Sequence, residues 1–276
     1  MAFMFLKVLN VSRGKGHNAV DKAAYISRSG LVDEKTGELF SHSKRNDLVV
    51  AQIFTNPSVR APGWALDRQS LWNQVERMER RVNSRTAKEL VVSLPHQLSD
   101  EQRYNAASTF AQQLTQRYGF VADLAIHRPP VGGDPRNHHA HILVTPRVLS
   151  EEGFAQRAKL YEPSKSLEPP TPMHYLKELQ QMRLWWAQTA NHEFKKAGLE
   201  DRLDCITPRY RAWLMQHRPT DIRLQSEHSE DQLTEAMKAT EKAAQEYWAY
   251  RRQMTHNPPG PTLARAHTAD HDFGLA

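Results

Sequence analysis

Residues 120–127 read FVADLAIH and residues 138–146 read HHAHILVTP. Both runs are apolar and rich in strand-forming types. The segment between them, residues 128–137, holds three prolines and two glycines. Two antiparallel strands joined by a turn-rich loop account for this pattern. Along a strand, side chains two residues apart share a face. His139 and His141 therefore project together and His138 points away. A partner strand ending in His127 brings a third imidazole beside them. Three neutral imidazoles form a donor set for a metal ion, with positions left open for water or substrate. The competing reading is three unrelated core or surface histidines. It suits a lone histidine better than a His-x-His pair that follows another strand-end histidine.

The pattern extends in both directions from this hairpin. Strands are expected over residues 2–11, 47–54 and 87–94. The segment 31–46 reads as an excursion with a turn at Thr36-Gly37. Asn18 caps a helix that runs to about Ser29, with Gly30 ending it. Asp67 opens a second helix to about Val82, with Leu71, Trp72, Val75 and Met78 at helical spacing. Ser99 and Gln102 form a capping-box signature for a third, to about Tyr118. The fold class is α+β, a central antiparallel sheet flanked by helices with a C-terminal helical extension. Residues 1–160 make the catalytic core. Residues 161–254 form the helical extension, which opens with a Pro-rich linker (Pro163 to Pro172) and carries helices near 173–197, 208–216 and 229–252. Residues 255–276, with three prolines and few apolar residues, read as a disordered tail.

Composition narrows the function. The 276 residues carry a net charge of +6. The first 160 hold 22 Lys/Arg against 15 Asp/Glu, and the remainder 15 against 16. The positive excess thus belongs to the proposed core; it suits a polyanion partner such as nucleic acid, the alternative being a merely basic soluble protein. A single cysteine, Cys205, excludes an internal disulfide and a Cys-based zinc cluster. No stretch approaches the ~18 apolar residues of a membrane span. The opening MAFMFLK has no signal-peptide character. A cytoplasmic protein without membrane insertion is expected.

Two further residues carry chemistry. Tyr25 falls inside the first helix, between Ala23-Ala24 and Ser27-Arg28, beside the basic loop Ser12-Arg13-Gly14-Lys15-Gly16. A tyrosine becomes a nucleophile only with help, since its ordinary pKa is near 10. A bound cation beside a phosphate supplies that help. The alternative is an amphipathic tyrosine packed on the sheet. Glu89 sits among apolar residues of a strand. It either holds the free nitrogen of a ligand histidine or faces solvent.

Taken in order, these motifs resemble the MobA/MobL relaxases, the mobilisation nickases of the MobQ class. The matching residues are Ser12-Arg13, Ala23-Ala24-Tyr25, Asp33-Glu34-Lys35-Thr36-Gly37-Glu38 and Leu71-Trp72-Asn73-Gln74-Val75-Glu76. They continue with Lys88-Glu89 leading to Ser93-Leu94-Pro95, then Ala125-Ile126-His127. Asn137-His138-His139-Ala140-His141 follows, with Thr145-Pro146-Arg147. Trp186-Ala187 to Asn191, Ala197-Gly198-Leu199 and Arg202-Leu203-Asp204 look like the family's trailing helix. The resemblance covers about residues 1–210. This chain has Asn137-His138 where the family has Asn-Pro, and Asp204-Cys205-Ile206-Thr207 where it has Asp-x-Arg-Ser.

The resemblance implies an HUH-type site. Tyr25 maps onto the nucleophile and His127, His139 and His141 onto the metal ligands. Glu89 maps onto the acidic residue before the Leu-Pro motif, which favours the histidine-holding role. The implied metal is Mn²⁺ or Mg²⁺, with Zn²⁺ a third option. The implied activity is nicking of single-stranded origin-of-transfer DNA through a 5′-phosphotyrosine, with accessory relaxosome proteins and a type IV coupling protein as further partners. Arg13, Lys15, Arg28, Lys44, Arg45 and Arg147 are candidates for the DNA backbone. Trp185 and Trp186 are candidates for base stacking, whereas Trp64 and Trp72 read as core. Rival readings are a rolling-circle initiator or transposase using Tyr161 or Tyr175, a water-using metal hydrolase, and a non-catalytic origin-DNA-binding protein.

Overall fold

Alternation of side chains in five strands builds the centre of the molecule. The computed structural model describes residues 4–161 and 172–203. All belong to the first of two units, Met1–Glu227 and His228–Ala276, and the second lies wholly outside the described residues. The chain runs β1 (Leu6–Ser12), α1 (Ala19–Ser27), β2 (Gly30–Asp33), β3 (Glu38–Ser41), β4 (Leu48–Phe54), α2 (Arg68–Met78) and β5 (Arg85–Ser93). It continues α3 (Asp100–Tyr118), β6 (Ala122–His127), β7 (His139–Val144), β8 (Arg147–Ser150), β9 (Gly153–Arg157) and α4 (Pro172–Lys196). The sheet order is β1-β5-β7-β6-β4, and each neighbouring pair is antiparallel. This is the expected central antiparallel sheet with flanking helices.

Each face of the sheet carries its own core. Leu90, Val92, Leu124, Ile126, Ala140, Ile142 and Val144 point to one side and pack under α3 and α4 with Phe110, Trp186 and Phe194. Ala87, Ala125 and Leu143 point to the other and pack under α1 and α2 with Ala23, Ala24, Leu71 and Trp72. On that second side Asp123 is fully buried. Arg68 grips it with two bonds of 2.8 Å and the Trp72 indole N–H donates to it at 3.0 Å. A buried carboxylate is tolerated when its lone pairs are taken up this way.

The helix starts follow the capping residues read from the sequence. Asn18 accepts from the backbone N–H of Val20 and Asp21, Asp67 accepts from Ser70, and Ser99 with Gln102 closes a full capping box. The ends differ. Helix α1 stops at Ser27 with Arg28 in a left-handed conformation, and Gly30 instead opens β2. Helix α2 stops at Met78, short of Val82, because Glu79 turns to pair with Arg147 and Arg157 at 2.8 Å each. The 31–46 excursion is the β2–β3 hairpin. The β8–β9 hairpin is not anticipated by the sequence reading. Pro172 begins α4, while the rest of the Pro-rich linker lies outside the described residues. So do the helices expected near 208–216 and 229–252 and the tail from 255.

One contact fixes where α1 begins. Glu76 on α2 accepts from the Ala19 N–H at 2.8 Å through Oε1, and its other oxygen pairs with the Arg13 guanidinium. Glu76 is buried. Breaking a buried pair leaves an uncompensated charge, costing about 3 kcal/mol or more. Glu76→Gln is therefore expected to lower the urea-unfolding free energy by about that much. Glu34→Gln, which loses only the exposed 3.4 Å pair with Arg77, changes it by less than about 1 kcal/mol. Equal losses would refute the tether.

Candidate active site

Strand register brings the three histidines together. His127 on β6 lies directly opposite His139 on β7, and His141 lies between Ala125 on β6 and Val91 on β5. All three rings emerge on the α1–α2 side. Ring centroids are 5.4 Å apart for His127–His139, 4.8 Å for His127–His141 and 5.2 Å for His139–His141. One nitrogen from each lies within 4.8 Å of the others, and no other such group occurs among the described residues. His138 points to the opposite face, as strand alternation requires.

The nitrogens that face away from this centre are all engaged. His127 Nε2 donates to the Ile26 carbonyl at 2.7 Å. His139 Nδ1 donates to the Asn137 carbonyl at 3.0 Å. His141 Nδ1 donates to Glu89 Oε1 at 2.6 Å. Each bond fixes a tautomer and leaves the other nitrogen as an inward lone pair. Burial first, then the neighbouring His141, pushes His127 down to about 3. Burial likewise lowers His139. Neutral imidazoles with oriented lone pairs fit a divalent cation, so His127, His139 and His141 would hold one if it binds.

Glu89 joins this centre to α1. It is buried on β5, on the same face as the histidines, and its second oxygen pairs with Lys22 Nζ at 2.9 Å. Burial opposes ionisation of Glu89, but the His141 bond and the Lys22 charge outweigh it and hold the carboxyl below its usual range. Of the two readings open from sequence, the solvent-facing one is excluded.

Tyr25 is half-buried on α1, one turn after Lys22. Its ring centre is 6.3 Å from that of His141. Positive groups surround it: Lys22 at 4.8 Å, Arg28 at 4.5 Å and Arg45 at 5.6 Å from the ring centroid. His42, bonded to Asp21 at 2.9 Å, packs its edge against the ring. Lys22, His42 and Asp47 escaped the sequence reading. Lys22 had one signal, its spacing of three before Tyr25 on a helix.

The six basic candidates separate into two groups. Lys15, Lys44 and Arg45 are exposed. Arg13 and Arg147 are engaged inside the protein, Arg13 with Glu76 and the carbonyls of Glu76, Glu79 and Arg81, Arg147 with Glu79 and the Ala155 carbonyl. Arg28 is buried and gripped by Asp47. Trp186 is fully buried against Phe110 and Trp185 packs on the same core, which removes Trp186 as a stacking platform. Trp72 is core, as expected, and Trp64 is half-buried against Phe154. Tyr161 is buried with its hydroxyl donated to the Val144 carbonyl, and burial pushes its phenol well above the ordinary value.

Comparison with known proteins supports a single family. A family model described as MobA/MobL matches residues 17–221. The mobilization protein MobL of Acidithiobacillus ferridurans is 27% identical over 230 residues, which cover 74% of this chain and 57% of that protein. A probable mobilization protein MobA of Bifidobacterium longum is 29% identical over 224 residues, covering 69% and 38%. A chain solved in a study of the molecular basis of vancomycin resistance transfer in Staphylococcus aureus is 26% identical, with a TM-score of 0.63 and coverage of 75% and 100%. The chain spans about half the length of the mobilization proteins it matches.

The His127 shift sets a pH dependence. The folded chain binds this proton more weakly than the unfolded chain, whose value is near 6.5. The resulting stability is present above pH 6.5 and is lost as pH falls from there toward about 3. The EDTA-treated protein is expected to lose melting temperature across that window, and His127→Gln to lose less. Parallel acid slopes for the two proteins would contradict the assignment.

Proposed function

The chain belongs to the MobA/MobL family, and from that membership and the site we propose that it is a DNA-nicking transesterase of conjugative mobilisation. The observation that carries the reading is the placement of Tyr25, half-buried beside three tautomer-fixed histidines and inside a ring of cations. Tyrosine order supports it too. Tyr25 precedes the histidines in the chain, whereas the rolling-circle and transposase readings need a downstream tyrosine. Of those, Tyr161 is buried and bonded to Val144, and the side chain of Tyr175 lies outside the described residues.

The substrate is single-stranded origin-of-transfer DNA. A divalent ion, Mn²⁺ or Mg²⁺ before Zn²⁺, held by His127, His139 and His141 supplies polarisation of a phosphoryl oxygen and charge neutralisation. The protein's own groups do the rest. Glu89 holds His141 in the tautomer whose Nε2 faces inward. Lys22 and Arg45 offset the negative charge of the phosphodiester beside Tyr25. Exposed Lys15 and Lys44 offer contacts to flanking phosphates. The Tyr25 oxygen attacks phosphorus in line, the bond to the 3′-oxygen breaks, and a 5′-phosphotyrosine and a free 3′-hydroxyl result. One phosphoester replaces another, so a 3′-hydroxyl reverses the step without ATP. Accessory relaxosome proteins and a type IV coupling protein complete the proposed setting, in the cytoplasm. Among the described residues no helix is long and apolar enough to cross a membrane.

Single-stranded oligonucleotides tiled across the transfer origin, incubated with the protein and Mn²⁺ or Mg²⁺, test the reading on a denaturing gel. A covalent protein–DNA adduct is expected, and it disappears with EDTA, in Tyr25→Phe and in His139→Ala. Cleavage without an adduct would make the protein a hydrolase. Binding without cleavage would make it a DNA-binding module.

A further inference from the structure

The residue after α1 does more than end a helix. Arg28 has φ 53°, the one non-glycine among the described residues in the left-handed region. Glycine would adopt this conformation without the Cβ penalty. The bend turns the arginine back beneath the helix it terminates. There its side chain is 3% exposed and makes contacts with three functional neighbours. Nη1 donates to the Tyr25 carbonyl at 2.7 Å. Nε and Nη2 donate to the two oxygens of Asp47 at 2.7 and 2.8 Å. Nη2 also lies 3.3 Å from His127 Nδ1; with that lone pair given to a cation the two groups are neighbours rather than hydrogen-bond partners. The guanidinium carbon Cζ sits over the Tyr25 ring, 4.5 Å from its centre.

We propose that Arg28 is a positioning residue that locks the Tyr25 ring at a fixed distance from His127. The proposal rests on the reading of Tyr25 as nucleophile. A helix cap alone needs no guanidinium, since glycine suits the backbone. A DNA contact is excluded by burial and by the grip of Asp47. A stabilising ion pair accounts for Asp47 but not for the contacts with Tyr25 and His127. Only the planar fork of arginine can bind a carboxylate through two N–H groups, stack on an aromatic face and reach a third partner at once. Asp47 has a second consequence: its negative charge balances Arg28, so a cation among the histidines does not face an uncompensated positive neighbour. Lys22 and Arg45 also approach the ring, but Lys22 is bound to Glu89 and Arg45 is exposed. Arg28 lies against both the nucleophile's residue and a candidate metal histidine.

The test combines cleavage kinetics with ¹⁹F NMR of protein carrying 3-fluorotyrosine, the Tyr25 line being the one absent from Tyr25→Phe. Arg28→Lys and Arg28→Gly are expected to lower kcat about 100-fold, the cost of a reacting group misplaced by about an ångström. The KM for the oligonucleotide is expected to stay within about threefold, because binding is not what is lost. In both variants the Tyr25 line moves toward that of free fluorotyrosine. A kcat near that of the unsubstituted protein, an unmoved Tyr25 line, or a loss confined to KM would each overturn the proposal. If either arginine variant fails to fold, Asp47→Asn keeps Arg28 and loosens its grip. It is then expected to move the line the same way with a smaller kcat loss, and an unmoved line again overturns the proposal. If the unsubstituted protein forms no adduct, the transesterase reading fails, and the ¹⁹F line still reports whether Arg28 holds Tyr25.

Discussion

The two-residue period of β7 is the constraint on which both the core and the site depend. In His139-Ala140-His141-Ile142-Leu143-Val144, Ala140, Ile142 and Val144 enter the core beneath α3 and α4, while His139, His141 and Leu143 enter the side covered by α1 and α2. Sliding this strand by one residue would put two imidazoles into a dry apolar core and three aliphatic side chains into the site. Burial of unpaired polar groups makes such a slip costly. The register is held from both sides, because β7 lies between β5 and β6 and pairs along its whole length with each. Packing therefore sets the positions of His139 and His141, and the site inherits the rigidity of the sheet centre.

Ionic contacts determine where helix α1 sits. Its N-terminus is held by Glu76 with Arg13, its middle by Lys22 to Glu89, and its C-terminus by Arg28 to Asp47. Its buried residues are mostly small, with Ala19, Ala23 and Ala24 against the sheet. Small side chains allow close approach but give little shape to resist sliding along the helix axis. The three charged ties supply that resistance. Two of them end on groups that touch the candidate metal histidines, Glu89 on His141 and Arg28 on His127. The placement of Tyr25 is thus coupled to the histidines through carboxylate and guanidinium groups rather than through a shared apolar contact.

Much of this was legible in the sequence because it follows from periodicity and local chemistry. Alternation in β5, β6 and β7 and the caps at Asn18, Asp67 and Ser99 are local signals, and they located the sheet centre and the starts of α1, α2 and α3. The His127, His139 and His141 set came from the same alternation. What escaped depends on contacts distant in the chain. Helix α2 ends early because Glu79 meets arginines 68 and 78 positions away. Strands β8 and β9, of four and five residues, are too short to show a period. Arg28 read as a surface cation because nothing near it in sequence announces Asp47, 19 residues on. Arg13 and Arg147 read the same way, and their partners Glu76 and Glu79 lie on α2.

Whether His127, His139 and His141 form one cation site is tested most directly by calorimetric titration of Mn²⁺ into the EDTA-stripped, dialysed protein. One ion per chain is predicted for the unsubstituted protein, with binding abolished in His139→Ala and in His141→Ala while the sheet, read by circular dichroism, persists. Binding of one ion that survives both substitutions would place the metal elsewhere and remove the basis for pairing it with Tyr25.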